Sequence, residues 1–301
     1  MKLEGIIPAL ITPLNTDGKT VNECSARALI EFLLKQGADG FYVLGSTGEG
    51  LVLDETERMR MLEIAVDQVA GRKPVICHTA AMNFREAVRL SKHAEKVGAA
   101  AISAIPPLFF HYTNEDIYSY YKTLAGSTDL SFIMYNHPSA NGGMSAEAVA
   151  KLFEIDNITG VKWTVNNYYE LMRLKDLTHG EMNIINGPDE MLIAGLAAGA
   201  DAGIGTTYNV MLPQFLQIYS CFKQGNMEQA RAIQLQVNRV ITCMLKHEVI
   251  PATKHMCTMM GFPAGDGTYP LKSLQENGCT ELEKELKACG WPFDTTSCSV
   301  C

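Results

Sequence analysis

No stretch of this sequence approaches the roughly 20 uninterrupted apolar residues that a membrane-spanning helix needs. The apolar start, "MKLEGIIPALITPL", is broken by Glu4 and Pro8 and is followed by no small-residue cleavage site. It reads as a first strand and not as a secretion signal. Positive charge is scarce: 25 Lys and Arg against 33 Asp and Glu leave a net charge of -8. Nucleic-acid binders usually show a basic face, so that class is set aside. An anionic ligand must then be held by local donors and not drawn in by the overall field. Charged residues make up only 19% of the 301 and hydrophobic residues 47%, which excludes a disordered chain. Cysteine pairing is missing too. The nine cysteines are odd in number and scattered from Cys24 to Cys301, so reduced thiols and a cytoplasmic location are expected. Cys298 and Cys301 form a terminal Cys-x-x-Cys, but no second pair matches it and no strand–helix context surrounds it. It reads as a frayed tail and not as a redox or metal site.

Two nucleotide signatures also fail. "FYVLGSTGEG" (41–50) leaves an apolar run and packs glycines at 45, 48 and 50. A Walker loop would place a lysine after Gly50, where Leu51 stands, and the glycine spacing does not fit the dinucleotide pattern either. His247-Glu248 begins like a zinc-protease helix but lacks the second histidine, so no metal is expected there.

What is present is alternation. Candidate strands occupy 5–13, 40–46, 74–80, 100–106, 130–136, 158–164, 182–188 and 202–208, with amphipathic patterns between them. "LDETERMRMLEIAVDQVAG" places Met59, Leu62, Ile64 and Val66 at spacings that can share a face, and Asp54 with Glu57 resembles a capping box. "NFREAVRLSKHAEKVG" ends on Gly98, a natural stop. "GADG", "VGAAA" and "AGADAG" precede three strands and read as one αβ turn used repeatedly. Eight such units predict an α/β fold, a (β/α)8 TIM barrel over residues 1–225. Additional C-terminal helices over 226–301 are expected to pack on it, since no Pro/Gly/Ser-rich linker intervenes.

Barrel active sites lie at the C-terminal ends of the strands. Those ends carry Thr12, Gly45, Ser46, Thr47, His78, Thr79, Tyr135, Asn136, Lys162, Thr164, Gly187, Asp189, Glu190, Thr206, Tyr208 and Asn209. Lys162 stands in "ITGVKWT", a strand expected to be buried on both faces. Burial disfavours an ammonium, and a neutral amine can attack a carbonyl to form a Schiff base. The alternative is a lysine snorkelling from a strand end to solvent. Tyr135, on the preceding strand, can both give and take a proton. Ser46 and Thr47 offer hydroxyls beside backbone N–H groups freed by glycine, a nest that suits a carboxylate. A carboxylate next to a ketone is a 2-oxo acid, the substrate a Schiff-base lysine would take. Asp189 and Glu190 offer acceptors better matched to sugar hydroxyls than to a second anion. Cys77-His78 reads as core packing and not as a catalytic dyad.

"GSTGEG", "YNHP", "GVKWT" and "GADAGIGTTYN" resemble the pyruvate-dependent class I aldolase superfamily that includes dihydrodipicolinate synthase and N-acetylneuraminate lyase, across essentially the whole chain. The synthase branch carries an arginine two residues after the proline of its Tyr-Asn-x-Pro motif, where this chain has Ala140. It also has a tyrosine where this chain has Phe109. The lyase branch is the better resemblance. It implies cleavage of a sialic acid to N-acetylmannosamine and pyruvate, with Lys162 and Tyr135 catalytic. Ser46, Thr47, Thr164, Gly187, Asp189, Glu190 and Thr206 would then bind substrate. The covalent imine on Lys162 would serve in place of any cofactor. The resemblance further implies a homotetramer acting on a small sugar acid, although the helical patterns do not separate it from a dimer.

Overall fold

The computed structural model describes residues 2–140, 142–271 and 273–292. Cys298 and Cys301 lie outside the described residues. The strands are β1 (Gly5–Pro8), β2 (Phe41–Val43), β3 (Val75–His78), β4 (Ala101–Ala104), β5 (Ser131–Asn136), β6 (Ile158–Trp163), β7 (Asn183–Asn186) and β8 (Ala202–Gly205). The helices between them are α1 (Glu23–Gln36), α2 (Glu55–Val69), α3 (Phe84–Val97), α4 (Asn114–Ala125), α5 (Ala146–Leu152), α6 (Tyr168–Leu177) and α7 (Leu192–Ala197). After β8 come α8 (Tyr208–Lys223), α9 (Met227–Lys246), α10 (Val249–Met259) and α11 (Glu276–Ala288).

The strands are parallel, in the order β1-β8-β7-β6-β5-β4-β3-β2. A bridge between Ala9 and Tyr42 joins the two ends, where the Leu10 N–H donates to the Tyr42 carbonyl at 2.9 Å. The chain is a TIM barrel. Every expected strand is present, but each is shorter than its β-rich run. Most of the surplus residues follow the strands into the loops at the C-terminal rim, while Gly40, Pro74, Ala100, Leu130 and Met182 precede theirs.

Alternation along each strand sorts the side chains into two layers. Ile7, Tyr42, Ile76, Ala101, Ile133, Ile185 and Ile204 fill the barrel interior. Phe41, Val43, Ile102, Phe132, Met134, Val161 and Trp163 belong to the larger core beneath the helices. Because Val161 and Trp163 point outward, Lys162 points in.

The repeated αβ turn is real. Gly37, Gly98 and Gly199 have φ of 99°, 88° and 108°, and in each case the next residue's N–H reaches back five residues along the helix, at 2.9–3.1 Å. That is the Schellman closure, which requires a left-handed residue after the helix. The capping box on α2 is not formed. Asp54 stands at the N-cap without a side-chain hydrogen bond. Glu57 is drawn away instead, accepting from the Val21 N–H at 2.7 Å. The expected apolar face of α2 is also shifted: Met61, Leu62, Ile64, Ala65 and Val69 are buried, while Met59 and Val66 are only half-buried.

Two of the late helices brace the rim. On α9, Gln234 donates to the Asp189 carbonyl at 3.2 Å and Asn238 to the Glu190 carbonyl at 3.0 Å. On α10, Lys254 reaches the loop after β2.

Candidate active site

Tyr135 and Lys162 are register partners on β5 and β6. Both are buried, at 2% and 6% exposure, and the Lys162 Nζ lies 4.0 Å from the Tyr135 ring centroid. The same amine lies 5.2 Å from the Tyr42 ring centroid. Tyr42 donates its hydroxyl to Ser103 Oγ at 3.0 Å, and burial holds its phenol well above the ordinary range. No carboxylate forms an ion pair with Lys162 among the described residues. Aromatic faces surround the buried amine, which sets it apart from a lysine reaching for bulk water.

The loop 44–50 arches over this pair from β2. Thr47 is buried and its Oγ1 lies 2.6 Å from Thr206 Oγ1 on the loop after β8; Ser46 is exposed. Thr12 donates to the Gly48 carbonyl at 2.7 Å. The left-handed residues here are Leu44 (φ 65°) and Glu49 (φ 58°). The glycines serve close approach instead. A Cβ on Gly45 would stand 2.4 Å from the Tyr42 ring, and one on Gly50 would stand 1.9 Å from the Leu44 carbonyl oxygen.

Opposite this loop, Gly187 lies against Thr164: a Cβ there would stand 2.0 Å from Thr164 Oγ1. That hydroxyl is buried and has no protein partner among the described residues. Asp189 Oδ2 accepts from both the N–H and the hydroxyl of Thr207, each at 2.7 Å. Burial nonetheless raises its pKa to about 7, against the opposing pull of those two hydrogen bonds. Glu190 is half-buried beside it in a 3₁₀ turn over Asp189–Met191. Asn209 lies farther back and donates to the Ala9 and Thr206 carbonyls at 2.7 Å, tying β1 to the loop after β8.

Cys77 and His78 are both neutral packing groups. Burial pushes the Cys77 thiol up to about 12 and the His78 imidazole down to about 3.

Over residues 2–289 the sequence matches the dihydrodipicolinate synthetase family. The chain belongs to this family. It is therefore a lyase-type enzyme of the class I aldolase superfamily. The N-acetylneuraminate lyase of Rhizobium meliloti is 37% identical over 286 residues, covering 95% of each chain. CdNal from Clostridium difficile, solved in complex with mannosamine, superposes with a TM-score of 0.91 at 31% identity, over 96% of this chain and 99% of that one. A Ruminococcus gnavus sialic acid aldolase, solved as a catalytic lysine mutant, gives a TM-score of 0.91 at 28% identity over 95% of each chain.

Three residues of this family member escaped the reading of its sequence. His137 presents its ring edge to Tyr135, with centroids 5.3 Å apart. Its Nδ1 accepts from the Ser139 N–H at 3.1 Å and lies 2.7 Å from Ser139 Oγ. Arg58, 1% exposed, donates to the His78 and Ala80 carbonyls and so caps the end of β3 from α2. Glu49 is buried against Lys254. His137 could have been found by strand parity, two residues beyond Tyr135. The partners of Arg58 and Glu49 are 20 or more residues distant and leave no local pattern.

Proposed function

We propose that this enzyme cleaves N-acetylneuraminate to N-acetylmannosamine and pyruvate through an imine on Lys162. The observation that carries the reading is the buried register pair, an amine 4.0 Å from a phenol ring inside the barrel mouth. In this reading Lys162 Nζ attacks the C2 ketone of the open-chain substrate, and water leaves as the iminium forms. Ser46 and Thr47 hold the substrate carboxylate. Tyr135 takes the C4 hydroxyl proton as the C3–C4 bond breaks, and that electron pair flows into the iminium to give an enamine. Protonation at C3 and hydrolysis then release pyruvate and free the lysine. Because the iminium is the electron sink, the chemistry calls for no metal or organic cofactor. Thr164, Gly187, Asp189, Glu190 and Thr206 line the path of the hydroxylated chain, and the unpartnered Thr164 hydroxyl is a donor in waiting.

A shorter 2-keto-3-deoxy sugar acid is the second reading. It is favoured by Asp189 Oδ2, which Thr207 already occupies. A coupled pyruvate-release assay across sialic acids and shorter keto-deoxy acids separates the two. Turnover of N-acetylneuraminate with kcat/KM above that of the short acids is expected, and the reverse order assigns the enzyme to the shorter substrates.

A further inference from the structure

The fifth residue of "GSTGEG" has no place in the chemistry above, and its surroundings are unusual. Glu49 sits in the left-handed region at φ 58° with its side chain fully buried. Its Oε1 lies 2.5 Å from the Nζ of Lys254, whose side chain is 2% exposed, and its Oε2 accepts from the Thr268 N–H at 2.5 Å. Lys254 also donates to the Asp266 carbonyl at 2.8 Å. One carboxylate thus ties the loop after β2 to α10 and to the segment 266–268. The Glu49 N–H in turn donates to the Ser46 carbonyl at 3.1 Å, and the Gly50 N–H to the Gly45 carbonyl at 3.2 Å. Ser46 and Thr47 therefore lie inside a turn whose far end is fixed by this pair.

The pair is costly to bury. Desolvation lowers the Lys254 pKa, and the attraction of Glu49 opposes that shift. Apolar residues of similar volume can often replace such pairs without loss of stability. A role in stability alone therefore explains its presence poorly, whereas fixing the angle of a loop that must aim two donors explains it well.

We infer that Glu49 and Lys254 are positioning residues that aim Ser46 and Thr47 at the substrate carboxylate, so that α10 sets 2-oxo acid affinity from behind the barrel. This rests on the reading of the 44–50 loop as the carboxylate site. A misaimed loop should weaken a charged carboxylate more than a neutral amide in the same place.

The test compares pyruvate with pyruvamide as imine-forming ligands, trapped by borohydride on the intact enzyme. Glu49→Gln and Lys254→Met should each raise the half-saturating pyruvate concentration by about tenfold or more, since small misplacements carry large penalties. Pyruvamide should change by far less, and the trapped fraction at saturation should be kept. The double variant Glu49→Gln/Lys254→Met leaves no unpaired charge and should fold while still losing the preference for pyruvate. Equal losses for both ligands, or wild-type pyruvate affinity in the double variant, overturn the inference. Hydrogen exchange on the unmodified chain is a second measure: pyruvate should protect amides of both 45–50 and 266–268. Protection of 45–50 alone contradicts the coupling. If the wild-type enzyme traps pyruvamide as readily as pyruvate, it is the carboxylate-site reading itself that fails.

Discussion

Two buried titrating groups, Asp189 and His78, shift in opposite directions. Asp189 holds its proton up to about pH 7, whereas an unfolded aspartate releases it near 3.8. Between those values the folded state binds more protons, so this contribution is complete below pH 3.8 and is lost as pH rises through 7. His78 works the other way, because its folded pKa of about 3 lies below the ordinary 6.5. Its neutral burial contributes fully above pH 6.5, and that contribution is lost as pH falls toward 3. Asp189→Asn should therefore steepen the gain in stability from pH 4 to 7. Urea midpoints measured across that range check it, and an unchanged slope rules out a raised Asp189. Under the proposed carboxylate site, Thr47→Ala removes one of the hydroxyls that hold the ligand. It should weaken pyruvate binding by about 1 kcal/mol, roughly fivefold, as read in a trapping titration. At this scale Lys162 and Tyr135 were legible as an amine and a phenol at the ends of neighbouring strands, and the family resemblance, not periodicity, chose catalysis over a snorkelling lysine. Glu49, Arg58 and the Thr47–Thr206 contact were not, because each depends on which distant segment the fold brings alongside.

At the scale of elements, all eight strands and the helical patterns between them could be read, and the recurring Gly-containing turn was recognised as one turn, though its Schellman closure was not. Gly98→Ala should test it. A Cβ there meets no atom within 4 Å, so the cost is conformational, about 1 kcal/mol for a left-handed alanine. Denaturant unfolding measures that directly. Gly50→Ala should cost far more, since its Cβ would fall on the Leu44 carbonyl. Strand ends were overextended, and Glu57 was assigned to a cap it does not make. Both misreadings come from local patterns competing with tertiary partners. The late helices show the same limit: the lack of a linker before them announced packing but not what they brace. With α9 holding the Asp189–Met191 turn, Gln234→Ala should raise KM for the sugar acid several-fold. It should leave pyruvate trapping unchanged, a split that separates the two halves of the site.

For the whole molecule, eight parallel strands place the Lys162 amine inside the barrel of a chain with net charge -8. On the outer surface Phe109 and Phe110 are 85% and 65% exposed, and Phe109 has φ 80°. Exposed aromatics beside half-buried Leu108 and Tyr112 are what a contact between copies of the chain would cover. We expect sedimentation to report an oligomer, and Phe109→Asp/Phe110→Asp to shift it to smaller species; an unmodified chain that sediments as a monomer contradicts this. The central claim concerns one atom, Lys162 Nζ. The most direct test incubates the enzyme with pyruvate and borohydride, then maps the modified peptide by mass spectrometry. The account predicts irreversible loss of activity with a single reduced adduct on Lys162, retained in Tyr135→Phe and absent in Lys162→Ala. An enzyme that cleaves its substrate yet carries no adduct on Lys162 would contradict it.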